Sequence, residues 1–96
     1  MTDLRQEARG RPCQVRLPGI CNGDEFSTVL AHVRLAGVTG MGQKAPDLLA
    51  AWCCAACHNE SDRRTRELET DFVRLAFLEG VIRTQNLLYR EGKVKW

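Results

Sequence analysis

Apolar residues recur at two different periods along this chain, and the change of period separates its main elements. From Thr28 to Leu35, aliphatic and β-branched residues alternate with others, which predicts a strand. Its two faces would carry Val29, Ala31, Val33 and Leu35 on one side and Leu30, His32 and Arg34 on the other. From Asp71 to Arg90 the apolar period is that of a helix, and Gly92 is a stop signal. The pattern therefore predicts an α+β domain with a long C-terminal helix.

That last helix is apolar over a broad face. A main stripe is widened by further apolar positions; the stripe comprises Phe72, Leu75, Leu78, Ile82 and Tyr89, and the additions are Val73, Phe77, Val81 and Leu88. Such a face is wide enough to pack on the core and on a partner chain, so a homo-oligomer through this helix is an expectation. Thr70 and Asp71 offer an N-terminal cap, and Gly80 permits a close backbone approach.

Turn signals and charges indicate the structure of the connecting segments. Residues 1–11 are polar without a clear period, which fits a flexible arm or a short frayed helix. Residues 12–24 hold the turn signals Pro18-Gly19 and Asn22-Gly23 and suggest a hairpin-like knuckle. Glycines and a proline predict a loop over 36–47.

Two shorter elements complete the interpretation. Asp47 to Trp52 fits a short strand or a turn, and Cys57 to Arg66 fits a helix whose arginines lie in its last turn. With 96 residues the chain forms one domain at most, which we divide into the arm 1–11, a core 12–66 and the C-terminal helix 68–92. No apolar run approaches bilayer length, so no membrane association is expected.

The cysteines narrow the choice of chemistry. Cys13 and Cys21 form a C-x7-C pair, and Cys54 and Cys57 form a C-x2-C pair. The N-terminus has no apolar signal core, and five cysteines cannot all pair, so one tetrahedral zinc bound by these four thiols is favoured over disulfides. Cys53 is left over as a small buried hydrophobe, although C-x3-C pairing with Cys57 is an alternative.

Charge gives a weaker indication of nucleic acid. The formal net charge is only +2, from 14 basic and 12 acidic residues. The arginines are grouped, however, near the N-terminus at Arg5, Arg9, Arg11 and Arg16 and after the second cysteine pair at Arg63, Arg64 and Arg66. The guanidinium fork matches phosphate oxygens, so the second group is a candidate DNA contact. For any one of them, solvated surface charge is the alternative.

The order of these features resembles the HNH endonucleases, which have the ββα-metal or His-Me finger fold. A cysteine pair, a strand histidine, a glycine-bearing loop and C-x2-C-H follow one another between about Pro12 and Arg66. More narrowly, the stretches ARGRPCQVRLPGICNG, AHVRLAG, KAPDLLAAWCCAACH and DRRT are similar to the YbcO-like family, small predicted nucleases of lambdoid prophages. The resemblance implies a metal-dependent DNA endonuclease in the cytoplasm of a bacterial host, encoded by a phage or prophage.

The resemblance also implies roles for individual residues. His32 matches the general base, and Asp47 lies where the motif has an asparagine that orients the base. His58 matches the last histidine, a ligand of a catalytic Mg²⁺, Mn²⁺ or Zn²⁺, and Asp62 would be a second ligand one helical turn later. Arg34, on the His32 face of the strand, is a candidate phosphate contact.

Each role has an alternative. His32 fits a core histidine, His58 a zinc ligand or helix N-terminal residue, Asp62 an ion pair with Arg66, and Asp47 a turn residue after Pro46. Many HNH members have a metal ligand directly before the base, where this chain has Ala31; that favours a zinc-stapled nucleic-acid-binding module without activity. A protein-interaction adaptor that docks through the last helix is a third reading.

Overall fold

A two-stranded antiparallel sheet organises the computed structural model, which describes residues 3–34 and 45–94. Strand β1 (Val29–His32) pairs with β2 (Ala50–Cys53), with Val29 opposite Cys53 and His32 opposite Ala50. All of β2 is buried, whereas only Ala31 of β1 is buried. The predicted strand was too long, because it began at Thr28 and ran past His32; Leu35 and the predicted loop up to residue 44 lie outside the described residues.

The segment from Asp47 to Trp52 contains both a turn and a strand, which were the two predicted alternatives. The amide of Leu49 donates to the carbonyl of Pro46 at 2.9 Å, which closes a turn around Asp47. The strand follows at once, and the amide of Val33 donates to the carbonyl of Leu49 at 2.9 Å. Pairing of the chain therefore continues one residue beyond β1, and it brings Asp47 close to the end of that strand.

The N-terminal segment adopts the short helix rather than an extended arm. Helix α1 (Leu4–Glu7) is capped by the carboxylate of Asp3, which accepts from the amides of Arg5 and Gln6. Ala8 follows it and is buried with Trp52 and Leu88. The segment thus packs against both β2 and the C-terminal helix, and a 3₁₀ turn (Glu25–Ser27) leads from the cysteine knuckle into β1.

The second helix departs most from the predicted range of 57–66. Helix α2 (Ala55–Ser61) begins earlier, because the Cys54 sulfur caps it, and it ends five residues sooner. Arg63 has a left-handed backbone with φ of 62°, a conformation that cannot continue an α-helix. The arginines after Cys57 therefore lie in a turn and not on a helix.

Helix α3 (Thr70–Arg90) matches its predicted range to within one residue. Its cap is not Thr70 or Asp71, as predicted, but Glu69, whose carboxylate accepts from the amides of Asp71 and Phe72. At the other end Gly92 adopts φ of 74° and terminates the helix as predicted.

The face of α3 that packs on the sheet is not the predicted main stripe. All five residues of that stripe are exposed, from 44% at Leu78 to 65% at Ile82. The buried face comprises Val73, Gly80, Val81, Thr84 and Leu88. The predicted close approach at Gly80 is confirmed: a Cβ there would lie 2.9 Å from Cγ2 of Val15 and 3.1 Å from its Cα.

Side-chain hydrogen bonds fix the docking of α3. The buried Thr84 hydroxyl accepts from the Trp52 amide at 3.0 Å and donates to the Gly80 carbonyl at 2.8 Å. Arg83 donates to the carbonyl of Gln14 at 2.8 Å, so the helix is tied to both β2 and the cysteine knuckle. None of the helices in the described residues has the length and apolar character needed to cross a membrane.

Candidate active site and metal centre

Four cysteine sulfurs converge between the knuckle and the start of α2. The Sγ atoms of Cys13, Cys21, Cys54 and Cys57 all lie within 4.8 Å of one another, and those of Cys21 and Cys54 are 3.8 Å apart. In a tetrahedron with metal–sulfur bonds of about 2.3 Å, neighbouring sulfurs are about 3.8 Å apart. The four cysteines can therefore hold one metal ion, as the spacing of the sequence predicted.

Local backbone geometry brings each pair together. The Pro18-Gly19 turn is closed by the amides of Ile20 and Cys21, which both donate to the Leu17 carbonyl, so Cys21 returns towards Cys13. The amide of Arg16 donates to the Cys13 sulfur at 3.5 Å, and that of Cys57 donates to the Cys54 sulfur at 3.4 Å. Amide donors of this kind stabilise thiolate charge, as a metal-bound cysteine requires.

The fifth cysteine belongs to the core, as predicted. Cys53 is fully buried in β2 and is not one of the four converging residues. Hydrogen bonding with the Cys13 and Cys57 sulfurs raises the pKa of Cys53 far above the usual thiol range, whereas hydrogen bonding with Cys53 and Cys57 holds the pKa of Cys13 well below it. Cys53 therefore lies beside the cluster without belonging to it.

His32 and Asp47 form a close pair at the edge of the sheet. The Nε2 atom of His32 lies 2.7 Å from Oδ1 of Asp47, and the histidine side chain is only 17% exposed. This contact holds the pKa of Asp47 below its usual range, with Arg5 nearby, its Nε at 3.7 Å from the same oxygen, adding to the effect. Asp47 is therefore an ionised hydrogen-bond acceptor that fixes the orientation of the imidazole.

A second group of polar side chains lies at the C-terminal half of α2. The Nε2 atom of His58 is 3.3 Å from Oδ2 of Asp62, which in turn is 3.6 Å from Nη2 of Arg34. The i, i+4 relation on α2 produces the first contact. Asp62 pairs with Arg34 and His58, whereas the predicted alternative partner Arg66 donates to the carbonyl of Arg63 at 3.4 Å.

One cleft of about 220 Å³ joins the two groups. Its polar lining includes His32, Arg34, Ser61, Asp62 and Arg63. The remaining lining is largely apolar and comes mainly from α3: Val33, Thr70, Val73, Arg74, Phe77 and Leu78. Four of the predicted site residues, His32, Arg34, Asp62 and Arg63, therefore face a common space, whereas Asp47 and His58 are not among the residues that line it.

The arginine turn after α2 is organised by a buried carboxylate. Glu60 is fully buried and accepts from the amides of Glu67 at 2.9 Å and Leu68 at 2.7 Å, and from the Thr65 hydroxyl. These bonds, with the Thr65 hydroxyl first, hold the pKa of Glu60 below its usual range against the opposing effect of burial. A charged core residue without an apolar pattern leaves no periodic signal, so the sequence did not indicate its role.

The predicted DNA-contact arginines divide into two kinds. Arg63 is engaged within the turn, where it approaches Glu60 at 3.5 Å and donates to the Leu68 carbonyl at 3.1 Å. Arg64 and Arg66 are exposed. The sequence treated all three alike, whereas the structure leaves two of them to face solvent.

Comparison with known proteins identifies the family. A family model described as "Putative nuclease YbcO" matches residues 2–93. The chain is 52% identical over 95 residues, 99% of both chains, to "Putative nuclease YbcO" of Escherichia coli strain K12 and equally to "Putative nuclease ybcO" of Enterobacteria phage 82.

A solved structure agrees with these matches. It is described as a "putative bacteriophage protein" from Escherichia coli K-12 substrain MG1655 and is 44% identical to this chain. The likeness has a TM-score of 0.81 and covers 94% of this chain and 100% of the other. The resemblance seen in the sequence stretches is thus confirmed along nearly the whole chain, and this chain belongs to the YbcO family.

Proposed function

We propose that this protein is a metal-dependent endonuclease that hydrolyses DNA phosphodiester bonds on a zinc-stapled HNH core. The observation that carries the proposal is the single cleft that collects His32, Arg34 and Asp62. A base, a guanidinium and a carboxylate metal ligand are the groups that phosphodiester hydrolysis uses. The names of the YbcO relatives, which describe nucleases, support the same reaction class.

His32 is suited to act as the general base. Asp47 accepts from Nε2–H, which leaves the lone pair of Nδ1 free to take a proton from water. The hydroxide that results attacks phosphorus in line with the leaving oxygen. Asp47 is a positioning residue in this scheme, because it fixes the tautomer and the ring without touching the substrate.

His58 and Asp62 are the proposed ligands of the catalytic ion. Their Nε2 and Oδ2 atoms are 3.3 Å apart, close to the separation of two ligands at about 2.1 Å from one ion. A divalent ion there, Mg²⁺, Mn²⁺ or Zn²⁺, would supply positive charge for the phosphoryl and leaving oxygens. Arg34 is exposed and beside Asp62, so its guanidinium can reach a phosphate oxygen on the same side of the cleft.

The ion at the four cysteines is proposed to be zinc, with a purely structural role. Four thiolates favour zinc among common divalent ions, and they leave no open coordination position for substrate. Reduced thiols also fit the cytoplasm of a bacterial host as the place of action.

The order of elements supports the relation to the HNH superfamily. His32 ends β1, Asp47 precedes β2, and His58 lies on α2, so the three positions follow a strand–strand–helix unit. The implied roles of these residues come from that superfamily.

A non-catalytic nucleic-acid-binding module is the second candidate. The observation in its favour is Ala31, which stands where many HNH enzymes have a metal ligand and is only 2% exposed. A larger, metal-binding side chain at this position would require repacking of the core.

The deciding experiment is a cleavage assay with the zinc-loaded protein on linear, nicked, branched and single-stranded DNA. Mg²⁺, Mn²⁺ and Zn²⁺ are each added, and DNA binding is measured in parallel for His32→Ala. An endonuclease cleaves at least one substrate, and His32→Ala abolishes cleavage while binding persists. Binding without cleavage under every ion would assign the protein to the second candidate.

A further inference from the structure

The cleft beside His32 has a second wall that the proposed hydrolysis does not use. Helix α3 lies across from the polar groups and contributes Val73, Arg74, Phe77 and Leu78 to the lining. Attack on a phosphodiester requires a base, an ion and phosphate contacts. It does not require the apolar side chains of Val73, Phe77 and Leu78. Their position next to the reacting groups indicates a binding role.

This wall combines an apolar surface with positive charge. Val33 and Val73 line the cleft and are buried, Phe77 is half-buried, and Leu78 keeps 44% of its surface exposed. Arg74 is exposed on the same helix turn, and Asp62 is the only carboxylate among the described residues that line the cleft. A ligand with a flat apolar part and a negative charge complements both features, as a nucleotide does.

The size of the cleft limits what can enter. About 220 Å³ is smaller than the roughly 300 Å³ at which pockets for drug-sized ligands begin. One nucleobase with its sugar is a ligand of that smaller class, whereas a stacked base pair is not. A base can reach such a site only when it is unpaired or extruded from the duplex.

We propose that the α3 wall binds the base of one unpaired nucleotide beside the scissile phosphate, so that the protein prefers single-stranded or locally unpaired DNA to intact duplex. The identity of the ligand as nucleic acid rests on the function proposed above. Leu78 and Phe77 contact the base, and Arg74 neutralises an adjacent phosphate.

Binding without hydrolysis provides the direct test. The zinc-loaded full chain is titrated, with no other divalent ion added, against a fluorescent single-stranded oligonucleotide and a strand of equal length built from abasic sugar-phosphates. Since stacking of a base contributes about 1–3 kcal/mol, the normal strand should bind about 5- to 160-fold more tightly than the abasic one. A blunt duplex should bind no more tightly than the abasic strand.

Two variants on one helix separate the base site from general surface effects. Leu78→Asn should remove most of the preference for the normal strand and leave affinity for the abasic strand unchanged. Leu75→Asn is the matched control, because Leu75 is exposed on α3 but does not line the cleft, and it should behave as the unaltered protein. Equal affinity for normal and abasic strands, or an unchanged preference in Leu78→Asn, would overturn the proposal.

The cleavage assay keeps this test apart from that of the nuclease. If no DNA is hydrolysed but Leu78→Asn loses the base preference, the nuclease proposal fails and the base site stands. If duplex and single strand are cleaved equally and Leu78→Asn cleaves both normally, the base site fails and the nuclease stands.

Discussion

The cysteine cluster and the cleft are built in opposite ways within the same small chain. Short-range devices, a turn at Pro18-Gly19 and the first turn of α2, bring together the members of each cysteine pair, and one long-range contact between the knuckle and α2 then places all four sulfurs within 4.8 Å. The cleft collects side chains from β1, α2 and α3, which the chain brings together only through tertiary packing. The polar residues in and beside it touch through single contacts of 2.7–3.6 Å rather than through a common centre.

Because of this difference, we expect the cluster to determine stability and the cleft to determine activity. The cluster links the knuckle to the start of α2, so the proposed metal ion would contribute directly to folding of a chain too short for a large core. The polar residues of the cleft, such as Arg34, are less buried than Cys54 and Cys57, so their substitution should cost less stability. Substitutions should therefore divide cleanly into those that unfold the protein and those that only stop its activity.

The largest expected effect is a loss of stability after substitution of a cysteine in the cluster. Cys54→Ala should abolish metal binding and unfold much of residues 12–66, because structural zinc binding supplies about 10 kcal/mol or more of folding free energy. Cys53→Ala, at the neighbouring buried position, should keep one zinc per chain and cost about 1 kcal/mol. Elemental analysis and thermal unfolding measure both. Retention of zinc by Cys54→Ala together with its loss from Cys53→Ala would show that the ligand assignment is wrong.

The next effect concerns activity alone. His32→Ala should slow cleavage by about 10²-fold or more, the scale of lost general base catalysis, while zinc content and melting temperature change little.

A second histidine serves as the control for that interpretation. His58→Ala should also lose activity, but a higher concentration of divalent ion should partly restore it, because only affinity for the ion is weakened. His32→Ala should not respond to added ion. A protein that loses zinc or fails to fold after His32→Ala would instead have a structural histidine at this position.

Sequence reasoning performed better for the cluster than for the cleft, for a physical reason. The spacing of Cys54 and Cys57 and the Pro18-Gly19 turn are local features, and local geometry follows from a few neighbouring residues. The polar site residues were singled out from the family pattern, but their joint placement depends on long-range packing. The α3 wall of the cleft, which includes Arg74, Phe77 and Leu78, was missed for the same reason.

Helix α3 shows most clearly which structural features the apolar pattern of a sequence predicts and which it does not. Its range was predicted well, since helical periodicity is a property of the segment itself. Which of its two apolar faces meets the sheet is a property of the partner surface, and the larger residues, such as Ile82, remained outside. Gly80 and Thr84 select the packed face, one through the absence of a side chain and the other through its hydroxyl bond to Trp52.

Substitution of Gly80 should reduce stability moderately, because this residue packs α3 closely against the cysteine knuckle. Gly80→Ala places a Cβ against Val15 and 3.1 Å from the Gln14 carbonyl, so α3 must shift away from the knuckle. The cost should be about 1–3 kcal/mol despite the better helix propensity of alanine. Asn86→Ala, exposed on the same helix, should change stability by no more than about 0.5 kcal/mol. Urea unfolding of both variants compares them, and a stabilised Gly80→Ala would mean that the close approach is not rigid.

The smallest effect tests the arginine turn as a phosphate contact. Arg64 and Arg66 are exposed, whereas Arg63 is engaged with Glu60 and Leu68. Replacing Arg64 and Arg66 by alanine should reduce the slope of log affinity against log salt by about 1.4 for single-stranded DNA, since each phosphate contact contributes about 0.7.

Two further variants serve as controls. Arg90 is exposed at the end of α3, and Arg90→Ala should leave the slope unchanged. Arg63→Ala should lower the melting temperature as well, because it loosens the turn. The slope is read from binding titrations at several salt concentrations. A slope that is the same with and without Arg64 and Arg66 would remove this turn from the DNA-binding surface and leave the cleft as the place where phosphate is bound.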